Sequence, residues 1–199
     1  WWSETWSRFA FGSHTPEVNL DIWGRKSDRN RRDVFGEVNL EAMRFRGLPI
    51  DRGQVRVRYR RGMIDIYDID IRNHNGTAQG SVRSVYSAAN DDVISRRIHI
   101  ASDIPVWEAK GLVGSILDPF LDKLGGEPRI SYKVDGCVIM ESHPEFNHLY
   151  ALDVEIDVPG VFEFAGVSGS NGSILIHRNA DSLILDPIRF DFAGGLAEG

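Results

Sequence analysis

Residues 54–71 read QVRVRYRRGMIDIYDIDI, and this stretch decides the fold. Val55, Val57 and Tyr59 alternate with Gln54, Arg56, Arg58 and Arg60. After Arg61-Gly62, Ile64 and Ile66 flank Asp65, and Ile69 and Ile71 flank Asp70. Successive side chains of a strand point to opposite sides, so period-two alternation predicts strands with one apolar and one polar face. The Arg-Gly pair between the two runs is a turn signal. Between Ile66 and Ile69 the alternation slips by one residue, which would flip the faces unless a bulge or bend absorbs it.

The same rhythm recurs along the chain. It is carried by Val18, Leu20 and Ile22, by Val38 and Leu40, by Ile98 and Ile100, and by Ile130, Tyr132 and Val134. It continues through Val154, Ile156 and Val158, then Ile174 and Ile176, then Leu183 and Leu185. One-sided strands of this kind predict antiparallel sheet with one wet face. Turn signals at Asn75-Gly76, Asn90-Asp91, Asn171-Gly172 and Asn179 to Asp181 separate them. One segment departs from the rhythm. SDIPVWEAKGLVGSILDPFLDKLGG, starting at Ser102, spaces Val106, Ala109, Val113, Leu117 and Leu121 at helical intervals. Ser102 or Asp103 as cap, Pro105 in the first turn and Asp118-Pro119 as a second start predict two short helices, about 105–117 and 119–124, stopped by Gly125-Gly126.

The chain also repeats itself. FRGLPIDRGQVRVRYRRGMIDIYDIDIRNHNGTAQG aligns without a gap on FAGVSGSNGSILIHRNADSLILDPIRFDFAGGLAEG at a constant offset of 119, placing Phe45 on Phe164, Gly53 on Gly172 and Ile69 on Ile188. The slip recurs: Leu183 and Leu185 are followed by Ile188 and Phe190, with Pro187 where the first copy has Asp68. Proline fits a bend because it donates no ladder hydrogen bond. Upstream, PEVNLDIWG matches PRISYKVDG at an offset of 112, with Gly24 on Gly136. The organisation expected is a terminal segment or tail of a preceding repeat over 1–15, a first β unit over 16–101, a helical crossing over 102–127 and a truncated second unit over 128–199.

Composition narrows the function. The chain has 199 residues, 42% hydrophobic and 26% charged, which is a globular balance. A net charge of −6 argues against general nucleic-acid binding. No apolar run approaches the roughly 20 residues of a membrane helix. The start at Trp1-Trp2, without Met or leader, leads us to expect a piece of a longer protein whose targeting segment lies elsewhere. Cys137 is the single cysteine, so there is no internal disulfide and no thiolate zinc site.

A one-faced sheet must cover its apolar side. A sandwich, a closed barrel and a trough filled by a ligand are all compatible with the pattern. The run VFGEVNLEAMRFRGLPIDRGQVRVRYRRGMIDIYDIDIRNHNGTAQGSV resembles the repeats of the large AsmA-like and TamB-like bacterial envelope proteins, through Phe45, Gly47, Ile50-Asp51, Val57, Tyr59, Gly62, Ile64, Ile66, Asp68-Ile69, Gly76 and Gly80. DIPVWEAKGLVGSILDPFLDKL resembles their short helical insert. The second copy departs from the pattern, with Ser168-Gly169 for Pro49-Ile50 and Asp181 for Gly62. The resemblance implies a mainly β fold: a repeated antiparallel one-sided sheet curled into a groove, with a short two-part helix between units. It implies a non-enzymatic lipid carrier in the periplasm of a bacterial envelope, anchored by a segment outside this fragment. Its partners would be phospholipid and neighbouring repeats, without a cofactor. The groove lining expected is Val55, Val57, Tyr59, Ile64, Ile66, Ile69, Ile71, Ile174, Ile176, Leu183, Leu185, Ile188 and Phe190. The alternatives are a structural or secretion-assembly β-scaffold and a carbohydrate-binding β-sandwich.

Other candidates have simpler readings. Arg56, Arg58, Arg60 and Arg61 suit anionic head groups, but a solvated strand face paired with Asp65, Asp68 and Asp70 accounts for them. His143, Glu145 and His148 suit zinc by type, yet their spacing across Pro144 fits a polar hairpin loop. No GxSxG nucleophile elbow occurs, and GVSGSNGS precedes no helix, so no phosphate loop is expected. Trp1, Trp2, Trp6, Phe9 and Phe11 crowd the N-terminus and read as the tail of a preceding repeat.

Overall fold

The computed structural model describes residues 9–11, 15–24, 32–88, 92–105, 107–108, 123–125, 129–192 and 195–199. Thirteen strands are formed: β1 Phe9–Phe11, β2 Glu17–Gly24, β3 Arg32–Phe45, β4 Leu48–Arg60, β5 Met63–Asn73, β6 Gly76–Tyr86 and β7 Val93–Ser102. They continue with β8 Leu124–Gly125, β9 Ser131–Ile139, β10 Ala151–Phe164, β11 Val167–Asn179, β12 Leu183–Phe192 and β13 Gly195–Glu198. All belong to one sheet, with β3-β4-β5-β6-β7-β9-β10-β11-β12-β13 as its spine. β1 and β2 pair with successive stretches of one edge of β3, and β8 and β9 do the same on β10. Every pairing is antiparallel. The sheet is open and curls little. No second sheet faces it among the described residues, so the sandwich is not the arrangement they adopt.

The slip in β5 is a bulge. Ile66 faces Val82 and Ile69 faces Gly80, so Tyr67 and Asp68 together oppose Ser81, and Asp68 takes φ 49°. β12 carries one too: Ile176 faces Leu185 and Ile174 faces Ile188, so Asp186 and Pro187 together oppose Leu175. The ladders around the two bulges correspond at the offset of 119. Val57–Ile66 matches Ile176–Leu185, and Ile71–Ala78 matches Phe190–Ala197.

Several local expectations need correction. Leu124 and Gly125 form a short strand against Phe164 and Glu163 instead of ending a helix. Residues 109–122 lie outside those described, as do Trp1, Trp2 and Trp6. The one helix among the described residues is a single 3-10 segment, Pro144–Leu149, in the expected polar loop. Asn171-Gly172 is not a turn but lies inside β11, where Asn171 takes φ 52° beside a register shift. Gly24 ends β2, whereas Gly136 lies inside β9 with three further residues beyond it, so these glycines hold different places in their ladders.

Two apolar clusters anchor the sheet. The larger joins Ile130 and Tyr132 to Leu152, Val154, Ile156 and Val158 of β10 and to Ile174 and Ile176 of β11, with Leu124, Phe162 and Ile188 against it. The smaller joins Leu40, Met43 and Ile50. Each fully buried Leu, Ile or Val contributes about 1.5–3 kcal/mol.

Gly80 sits where two backbones approach closely. It has φ 154°, and a Cβ there would lie 2.0 Å from the His99 carbonyl oxygen. Gly47, in the β3–β4 turn at φ 89°, has nothing within 4 Å of that position. Gly80→Ala is therefore expected to cost about 3 kcal/mol or more, because backbone must move. Gly47→Ala is expected to cost about 1–2 kcal/mol, from the left-handed conformation alone. Urea unfolding of both variants checks the ranking; equal losses would show that Gly80 is not a packing constraint.

Candidate functional site

Directly opposed residues of an antiparallel pair share a face, so the registers trace rows of side chains across the sheet. One row runs Leu20, Gly36, Val57, Ile66, Val82, Ile98, Gly136 and Leu152. A second runs Ile69, Gly80, Ile100, Val134, Val154, Ile176 and Leu185. A third runs Leu40, Gly53, Ile71, Ala78, Ser102, Tyr132, Ile156, Ile174 and Ile188. These rows make one apolar face that crosses the molecule from β2 to β12. The two bulges are what keep Ile69 and Ile71, and Ile188 and Phe190, on it.

The thirteen residues expected to line a lipid groove are placed on this apolar face, on a sheet that curls little. Val55, Val57, Tyr59, Ile64, Ile66, Ile69 and Ile71 are placed by β4 and β5, and Ile174, Ile176, Leu183, Leu185, Ile188 and Phe190 by β11 and β12. The face also takes in Val82, Ile98, Ile100, Val134, Leu152 and Val154. Their own period-two pattern carried the signal, but only the register shows that they continue the same rows. Burial varies along the face. Val154 and Ile156 are 1% exposed, whereas Leu20 at one end and Leu183 at the other are 51% and 52% exposed. The β4–β7 portion is half-buried.

The opposite face is a charge ladder. Arg56 donates to Glu37 of β3 at 3.3 Å and to Asp68 of β5 at 2.9 Å. Arg60 lies 3.6 Å from Asp33 of β3, and Asp65 binds Arg83 of β6. The arginine row thus draws on both neighbouring strands, and the expected next-strand acids supply only Asp68. Exposed pairs of this kind contribute little to stability because solvent screens them. A further row runs His99, Asp135, Asp153 and His177, with His99 Nδ1 2.6 Å from Asp135 and His177 Nδ1 2.7 Å from Asp153. Each histidine offsets one of two carboxylates that face each other. His143 Nδ1 lies 3.2 Å from Glu145, and His148 ends the same 3-10 segment. Among the described residues, no group of three or more His, Cys, Asp or Glu is arranged to hold a metal ion.

The two margins of the apolar face differ. Where β7 leaves the sheet, the Thr77 backbone N–H donates to Asp103 at 2.6 Å and the Thr77 hydroxyl at 3.0 Å. The Thr77 backbone N–H holds the Asp103 carboxyl below its usual range. Ser102 Oγ donates to the Thr77 carbonyl at 2.9 Å. Asn73 takes the backbone N–H groups of Asn75 and Gly76 and donates to Glu108 at 2.9 Å, and Asn75 also binds Glu108. This polar clamp fixes how the chain leaves the sheet between β7 and β9. On the opposite margin stand Arg96, in register with Ser84 and Val138, and Arg178, in register with Leu152 and Leu183.

Comparison of the chain with protein-family models, with curated proteins and with solved structures finds no match.

A carboxyl held below its unfolded pKa adds stability that is complete above that value and is lost as pH falls through the folded one. For Asp103 the unfolded reference is 3.8. Asp103→Asn is expected to cost about 1 kcal/mol at pH 7, as charged hydrogen bonds are lost. The gap to wild type narrows as pH falls from 3.8 through the lower folded pKa of Asp103, below which neither chain is charged at this position. Urea unfolding at pH 7 and at several acid pH values checks this; a gap independent of pH would contradict it.

Proposed function

We propose that the chain is a non-enzymatic lipid-binding and transport module, whose apolar face shields phospholipid acyl chains, within a bacterial envelope protein of the AsmA-like and TamB-like kind. The observation that carries this is the continuity of the apolar rows from β2 to β12 on one side of an open sheet. Each acyl CH₂ taken from water onto such a face contributes about 0.8 kcal/mol. Because the sheet curls little, the chains lie on a shallow groove floor with head groups at its rim. The matching ladders and bulges of β4–β6 and β11–β13 support a repeating unit, and hence neighbouring repeats as partners in a longer, periplasmic chain. A β-scaffold role is favoured by a different observation. Among the described residues β1 and β2 at one end and β13 at the other are outer strands, each paired on one side only, and such edges take further strands.

Native mass spectrometry of the purified chain, mixed with phospholipid vesicles and re-isolated, tests the lipid reading. Retained phospholipid is expected. Leu183→Asp with Leu185→Asp, at exposed positions of the apolar face, is expected to reduce loading at least about threefold, since a charge opposes a hydrocarbon contact. A chain that retains no phospholipid contradicts the reading. Self-association that grows with concentration and is blocked by proline in β13 would support the scaffold role instead.

A further inference from the structure

The apolar face is not electrically uniform. Arg96 and Arg178 stand on one margin of it: β7 begins there, β11 ends there, and their rows join Val138 and Leu152. Neither guanidinium has an acidic partner among the described residues, in contrast to Arg56, Arg60, Arg83 and Arg189 on the polar side. Arg178 is held over the Tyr150 ring at 5.7 Å, which orients its charge beside the exposed Leu183 and Leu185. Arg96 is half-buried, beside Ser84 and next to the row of Ile98 and Val82. On that margin Glu145 is taken by His143, while Asp92, Glu141 and Asp181 lie in the connections outside the rows. At the opposite margin the ionised Asp103 lies close enough to Tyr132 to raise its pKa further, after burial.

We propose that the lipid this face selects is an anionic phospholipid, bound with its phosphate-bearing head at the Arg96 and Arg178 margin and its chains running along the half-buried β7 toward Ser102. This rests on the lipid-binding reading above. Complementarity of charge sets the direction: the guanidinium margin attracts an anionic head, whereas at the other end the charge of Arg129 is set against that of Asp103. Length agrees. Six residues separate Arg96 from Ser102, about 20 Å of strand at about 3.3 Å per residue. One leaflet of a bilayer is about 15 Å of hydrocarbon, so a single acyl chain fits within that run. The chain carries a net charge of −6, so preference for an anionic lipid cannot come from its overall field and must be local.

The test is loading of the whole chain from vesicles of phosphatidylglycerol or of phosphatidylcholine with the same acyl chains, read by native mass spectrometry. Wild type is expected to load phosphatidylglycerol at least about fivefold better. Arg96→Gln with Arg178→Gln is expected to bring the ratio to about one, and Arg96→Lys with Arg178→Lys to keep it above one. Because exposed charges are screened by salt, the wild-type ratio should also fall at high ionic strength. Equal loading of the two lipids by wild type overturns this proposal while leaving the lipid-binding reading intact. A preference that survives the double Gln variant also overturns it. Loading of neither lipid overturns both.

Discussion

Cross-strand register is the constraint on which the rest depends. The side-chain period of a strand is two, so an uncorrected slip of one residue turns half a strand inside out. In β5 the bulge at Tyr67 and Asp68 prevents this, and Ile64, Ile66, Ile69 and Ile71 stay on one side. In β12 the bulge at Asp186 and Pro187 does the same for Leu183, Leu185, Ile188 and Phe190. Without them the apolar rows would break at two strands, and carboxylates such as Asp70 would face the hydrocarbon side. The bulges also increase local twist, and the glycine at position 80 lets β6 and β7 approach closely opposite the first of them.

With the register fixed, the two faces divide the work. The polar face carries ion pairs and His–Asp pairs that are individually weak and exposed. They suit the strands to water and discourage mispairing by matching charge across each ladder. The apolar face supplies most of the burial. Its β9–β11 part packs into a core with Leu124 and Phe162, while its ends remain exposed. In the lipid-binding role we propose, the exposed parts of this face receive the ligand and the arginines on one margin set its direction.

Much of this was legible in the sequence because it is local. Alternation marked the strands, Arg61-Gly62 and Asn179 to Asp181 marked turns, and the slip between Ile66 and Ile69 marked a bulge before any partner strand was known. What was not legible is non-local. Asn171-Gly172 has turn chemistry, yet it lies inside β11, where a register shift uses the Asn171 conformation. The partners of Arg56 and Arg60 came from β3 as well as β5, because a central strand has two neighbours and one sequence shows neither. Nothing in the sequence singles out Arg96 and Arg178, and only the pairing with Val138 and Leu152 places them on the apolar side. The segment expected to be helical lies, over 109–122, outside the described residues.

The most direct test of the central claim is where a bound acyl chain touches the protein. A phospholipid carrying a photoreactive diazirine near the end of one acyl chain, loaded onto the chain and irradiated, marks those contacts for peptide mapping. The account predicts adducts on residues of the apolar rows, such as Val82, Ile98, Ile100, Leu185 and Ile188. Adducts confined to the polar rows, around Arg56, Asp135 or Asp153, or no adducts at all, would contradict it.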